Sequence, residues 1–363
     1  MQAIRTILLF SGASFFLRAN TIQATYLSLD IPNRTDYAFN QSGTLFITAG
    51  PNILRFDTHT SSFLAPFSIG GNLMGLDLSN DGSTLAAADT TTQNQNNRVF
   101  LVNAGTGEAN TVSFVRDFGE AGTYMPAWGR DDRLLITSEF GGSGWVPCRR
   151  YDPSTGLTTT IGSVKGRSML TPSADRSIIG LAEADSSAGT FRGYDVQGGT
   201  LVASESIGSD IYEVAVSRGG DRFVVPNYLG TRVYDFNGSF FTQIASLGQR
   251  QSFGPIAAVF SPVNDILFTS EWDWSGSRSG VKIYDAHTWA QIASIDDYNF
   301  PSSGNVAMGS GRMEISPDGK WLAVSVQGGV RLYDVSAYTP EPQSLILLCL
   351  GLVAYRRTTR SWM

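Results

Sequence analysis

Few side chains in this sequence could carry chemistry. The 363 residues include two histidines, His59 and His287, and two cysteines, Cys148 and Cys349. The histidines stand in "DTHT" and "DAHT", each two residues after an aspartate. No HExxH pair and no Cys/His cluster is present, so a zinc centre has no ligand set. No G-x-S-x-G elbow offers a nucleophile, and no P-loop offers a phosphate cradle. "NDGST" at Asn80 and "SPDGK" at Ser316 lack the twelve-residue ligand series of a calcium loop. The expectation is therefore no catalytic residue, no metal ion and no cofactor.

What remains are carboxylates near aromatic rings in the longest connecting segments. "EFGGSGWVPC" starts at Glu139, "EADSSAGTF" at Glu183 and "EWDWSGSRSG" at Glu271, while "RDFGEAGTYMP" starts at Arg116. Together with Tyr228 they gather Glu120, Glu139, Trp145, Glu183, Asp185, Glu271, Trp272, Asp273 and Trp274. Acids beside exposed rings suit a polar ligand with flat apolar faces, such as a glycan. The plainer alternative is that the rings pack over neighbouring loops and the acids face water.

The elements that must position these residues repeat along the chain. An aromatic or aliphatic residue, then Asp or Asn, then a turn recurs seven times. The copies are "FDTHTSS" (Asp57), "VNAGTGE" (Asn103), "YDPSTGL" (Asp152), "YDVQGGT" (Asp195), "YDFNGSF" (Asp235), "YDAHTWA" (Asp285) and "YDVSAYT" (Asp334). Their spacings are 46, 49, 43, 40, 50 and 49 residues. An Asx side chain bonds its own backbone two residues on and starts a turn. The same logic makes His59 and His287 turn residues and argues against calcium at the seven Asx positions. Two extended runs joined by Gly, Asp or Asn precede each copy, as in "GLDLSNDGSTLAAA" and "MEISPDGKWLAVS", and read as hairpins. One further apolar stretch follows each Asx turn. The unit is four strands, named A to D here, in 40 to 50 residues, the period of a propeller blade.

Seven copies predict an all-β fold: a seven-bladed β-propeller of four-stranded blades. The last copy runs out at Tyr338 after its third strand, so "ATYLSLDI" near the N-terminus is expected to supply the missing one and close the ring. The segment "ISPDGKWLAVS…GGVRLYDVS" resembles YVTN and WD40-like propeller repeats, over about Ala24 to Tyr338. The resemblance implies the fold and says little about function. Some propellers of similar repeat type are lactonases or quinone-dependent dehydrogenases, which makes an enzyme of that kind the alternative to a binding module.

Composition agrees. Gly is abundant at 39 residues, charged residues make up 16 %, and net charge is −6 with a pI near 5.0. No basic stripe is available to neutralise phosphates, so no nucleic-acid partner is expected.

The two ends read differently from the body. Arg5, the apolar run Ile7 to Leu17 and small residues up to Ala24 predict a signal peptide over 1–24. After the propeller domain (25–338), residues 339–363 hold Pro340-Glu341-Pro342, an apolar run from Leu345 to Tyr355 and Arg356-Arg357. The run predicts a short hydrophobic helix. At eleven residues and 1.5 Å per residue it would span about 16 Å, against about 30 Å for a bilayer core. This order of parts resembles the PEP-CTERM sorting signal. That resemblance implies export in a Gram-negative bacterium, transient membrane anchoring and processing by an exosortase-type protease. It also implies a place at the cell surface or in the extracellular matrix, often with polysaccharide or biofilm. The expectation is a monomeric, non-enzymatic binding propeller for a glycan or a surface protein.

Overall fold

The computed structural model describes residues 25–184, 189–208, 211, 213–227, 230–247, 257–271, 280–296, 312–326 and 328–338, together with the backbone of 20–22. The expected signal peptide before residue 20 and the tail from 339 onward, with Pro340, Glu341, Pro342, Arg356, Arg357 and the expected hydrophobic helix, lie outside the described residues. Among the described residues no helix is long and apolar enough to cross a membrane.

Seven antiparallel sheets form seven blades. The first runs Arg34–Phe39, Thr44–Ala49, Asn52–Asp57 and Ser62–Ser68 in the order A-B-C-D. Five more follow, from Leu73 to Val115, Glu120 to Lys165, Met169 to Ser206, Ala215 to Leu247 and Ala258 to Asp296. The seventh holds Met313–Ile315, Trp321–Val326 and Gly329–Asp334. Its fourth strand is Tyr26–Asp30, which pairs antiparallel with Gly329–Asp334 from Tyr26↔Tyr333 to Asp30↔Gly329. Each A strand neighbours the A strand of the next blade, and Met313–Ile315 returns to Arg34–Phe39. Asn20–Ile22, which the sequence reading gives to the signal peptide, lies parallel to Gln291–Asp296 as a fifth strand on the edge of blade six.

Burial follows strand position. B and C strands are sandwiched between neighbouring blades, so Leu45, Ile47, Leu85, Leu134, Ile136, Val330 and Leu332 are fully enclosed. D strands at the rim alternate, as in Ala109–Val115. Inter-blade packing of apolar faces is what holds such sheets together, since each blade alone is too thin to form a core.

The Asx turns are built as expected. In six of the seven copies the side chain accepts the backbone N–H two residues on: Asp57 from His59 at 2.9 Å, Asn103 from Gly105 at 2.9 Å, Asp152 from Ser154 at 2.9 Å, Asp195 from Gln197 at 3.1 Å, Asp285 from His287 at 3.0 Å and Asp334 from Ser336 at 3.0 Å. In blade five the duty passes to Asn237, which accepts from Ser239 at 3.0 Å, while Asp235 sits 3.6 Å from Arg222. The A–B turns carry a second repeat. A Ser hydroxyl that opens the turn accepts the amide five residues on, from Ser79 to Thr84, Ser173 to Ile178, Ser217 to Arg222 and Ser316 to Trp321. Three residues after this position the backbone is left-handed, with Gly43, Gly82, Gly220 and Gly319 in four blades but Asp132 (φ 58°) and Arg176 (φ 55°) in blades three and four.

Candidate functional site

The loop-face residues divide into three groups. Glu120 and Glu183 are buried and ion-paired. Glu120 grips the guanidinium of Arg149 with both oxygens, the Nη2–Oε2 bond being 2.7 Å, and accepts the Asp117 amide at 2.5 Å. Glu183 accepts Arg192 Nη2 at 2.7 Å. Their role is to neutralise arginines on C strands; Asp89 does the same for Arg98, and Asp89–Arg98 and Glu183–Arg192 share one sequence spacing of nine. That spacing is a signal the sequence reading missed.

Glu139 and Trp145 stay accessible. Glu139 is 3.5 Å from Arg167 Nε at the end of strand B in blade three. Trp145 begins strand C of that blade and is 53 % exposed, with the Arg192 guanidinium 5.9 Å from its ring centroid. Arg192 thereby joins Trp145 of blade three to Glu183 of blade four. Glu271 ends its B strand, paired with Gly280. Asp185, Tyr228, Trp272, Asp273 and Trp274 lie outside the described residues.

A second cluster, absent from the sequence reading, sits where the A strands meet. Counting back from the residue that opens each A–B turn, the fourth is Asp36, Glu213 and Arg312 in blades one, five and seven. The second is Asp77 in blade two, Thr171 in blade four and Glu314 in blade seven, with Ala38, Ala127 and Ala215 in blades one, three and five. The small residues leave space, and the polar ones are gathered around it. A cavity of about 460 Å³ results, lined from every blade and rimmed by A–B turn residues that include Gln41, Asn80, Asp175, Arg218 and Pro317. It opens on the face opposite the B–C and D–A loops.

The charges around the cavity are mostly paired. Arg312 donates from Nε to Asp36 Oδ1 and from Nη1 to Glu213 Oε1, the latter at 2.7 Å. Asp36 also accepts the amides of Tyr37 at 2.9 Å and, from the next blade, Leu76 at 2.8 Å. Asp77 repeats this device, accepting Leu78 at 2.9 Å and Trp128 at 2.7 Å. Arg176 reaches across from blade four and holds Asp77 with two bonds, 2.8 and 3.0 Å. Among the described residues Glu314 has no side-chain hydrogen-bond or ion-pair partner, and neither has the buried hydroxyl of Thr171.

Burial disfavours the charged form of an acid, and a neighbouring cation restores it. Burial pushes Glu213 up to about 8 although Arg312 opposes the rise. Asp36 is raised for the same reason, against Arg312 and its two amide donors. Burial lowers the affinity of Arg312 for its proton, but the carboxylates of Asp36 and Glu213 outweigh it and the guanidinium is raised. Glu314 is half-buried and lines the cavity. Burial there, with Asp36, Asp77 and Glu213 nearby, pushes it up to about 8 against the pull of Arg312. Among the described residues no group of three or more His, Cys, Asp or Glu is arranged to hold a metal ion.

No family model matches the chain, and no curated protein matches it. The functional reading therefore rests on the geometry.

Proposed function

We propose that this protein is an exported, monomeric propeller that binds polysaccharide or another surface ligand non-enzymatically. Its Pro340-Glu341-Pro342 tail with Arg356 and Arg357 would act as a PEP-CTERM signal for an exosortase-type protease. Tyr26–Asp30, seated beside Gly329–Asp334, would act as the latch that closes the ring. The observation that carries the binding reading is Trp145. A tryptophan more than half exposed, stiffened by an arginine that is itself ion-paired, is a platform for the apolar face of a sugar ring. Glu139 and Arg167, from the same blade's B strand and D–A connection, add polar partners.

An enzyme of lactonase-like or quinoprotein-like type is the second reading, favoured by the acid–arginine cluster in the channel. It ranks second because both arginines already face carboxylates. Arg312 bonds two of them and Arg176 chelates one, so neither is positioned for a developing anion.

A glycan-array screen of the protein, repeated with Trp145→Ala, tests the first reading. Binding that falls at least about tenfold in the variant, as a lost stacking platform would give, supports it. No glycan bound by the folded protein removes it.

A further inference from the structure

We propose that the central channel is a binding site for a small organic ammonium ion with an apolar body, held by Glu314. The inference is independent of the loop-face reading, since the channel opens on the opposite face.

Three observations carry it. The first is charge. Asp77, Asp175 and Glu314 line the cavity with Arg176, Arg218 and Arg312, and Asp36 and Glu213 stand behind Arg312, so five carboxyls face three guanidinium groups. Arg176 and Arg312 bond Asp77, Asp36 and Glu213, and among the described residues Glu314 is left over. An unpaired acid in a low-dielectric cavity is satisfied either by a proton or by a cation. The second is the pair of unmet polar groups. Glu314 and the Thr171 hydroxyl belong to the same layer, two residues before their A–B turns, and both line the cavity. An ammonium group has three donors and no acceptor, so a carboxyl lining the cavity without a cationic bond partner suits it. The third is size and lining. At about 460 Å³ the cavity lies within the roughly 300–1,000 Å³ of small-molecule sites. Phe39, Leu78, Phe260 and Ile315 line it with apolar surface for the body of the ligand.

Proton linkage follows. The charged groups that face Glu314 are Arg312 on its own blade, Asp36, Asp77 and Glu213 from blades one, two and five, and Arg176 through its bond to Asp77. With its carboxyl raised to about 8, Glu314 is protonated near neutrality, and an arriving ammonium displaces that proton. Affinity should then rise about tenfold per pH unit up to roughly pH 8, where one proton is released per ligand bound, and level off above.

The test is calorimetric titration of the full chain with benzylamine and hexylamine, and with benzyl alcohol and hexanol as neutral controls, from pH 6 to 9. The expected result is binding of the amines at least tenfold tighter than of the alcohols, with the stated pH rise. Glu314→Gln should abolish that rise and weaken amine binding at least tenfold. Thr171→Val, which keeps the shape and folds without the unmet hydroxyl, should weaken it less. Trp145→Ala should leave it unchanged, whether or not the glycan reading survives. Equal binding of amines and alcohols, no binding by protein shown folded by circular dichroism, or wild-type amine affinity in a folded Glu314→Gln variant would each overturn the proposal.

Discussion

Arg312, itself buried, holds two carboxylates from blades one and five. Removing a charge from a buried pair leaves the partner uncompensated, which costs about 3–5 kcal/mol, more than the pair itself contributes. Arg312→Met should therefore lower the unfolding free energy by about that amount, read from urea denaturation. Glu314 predicts the opposite. An acid with a raised pKa in the folded state binds more protons than the unfolded chain between its ordinary value and about 8. Its contribution thus declines as pH rises through that window. Glu314→Gln should raise the melting temperature relative to wild type at pH 8, and hardly at all at pH 4. A variant that melts below wild type at pH 8 would contradict the unpaired carboxyl described above.

Turn chemistry decides what the elements do. Asp285 accepts two backbone amides, from His287 and Thr288, and the Thr288 hydroxyl. Asp285→Ala should cost about 1 kcal/mol, the usual net value of such bonds, while Asp235→Ala should cost less because Asn237 does the capping. Chemical denaturation of the two variants side by side checks this. Arg176 is the more telling turn residue. Four blades place glycine at its position, since left-handed backbone costs a side-chain residue about 1 kcal/mol or more. The strain is offset by its bidentate hold on Asp77 across the channel. Arg176→Gly should relieve the backbone yet still destabilise, and by less than Arg312→Met, because Asp77 keeps its two amide donors.

These positions also explain what the sequence could reveal. The blades were legible because Asx and A–B turns recur at nearly one period, and each copy adds to the signal. The channel was not, because its chemistry lies in departures from the repeat. Asp36 and Glu213 stand 276 and 99 residues from Arg312, in different blades, and no two blades consecutive in the sequence share a charge at that position. Only superposing the A strands brings them into one layer. Glu120 and Glu183 misled for a related reason: a carboxylate at a loop mouth reads as a ligand until the arginine nine or more residues on is seen to neutralise it.

At the scale of the whole molecule the two kinds of acid pull stability in opposite directions. Turn aspartates such as Asp57, Asp81, Asp152 and Asp285 are held below the usual carboxylate range, first by hydrogen bonds from neighbouring amides and hydroxyls, with Asp152 at about 2. Their contribution is full above the ordinary value, near 3.9, and fades as pH falls toward their folded values. The channel glutamates Glu213 and Glu314, raised to about 8, lose theirs as pH climbs from the ordinary value near 4.3. The stability maximum should fall near pH 4 to 5. Urea midpoints collected from pH 3 to 9 test this, and a midpoint that climbs steadily from pH 5 to 8 would refute it.

The seventh blade has a mechanical consequence. Tyr26 lies opposite Tyr333, so the chain enters and leaves this sheet at the same end of one antiparallel pair. Tension between the two termini would load the hydrogen bonds one at a time, like a zipper, and part the strands at low force. A load on one terminus, resisted by drag on the body, never pulls the two apart. The seventh blade thus resists a pull on one end far better than a pull between both.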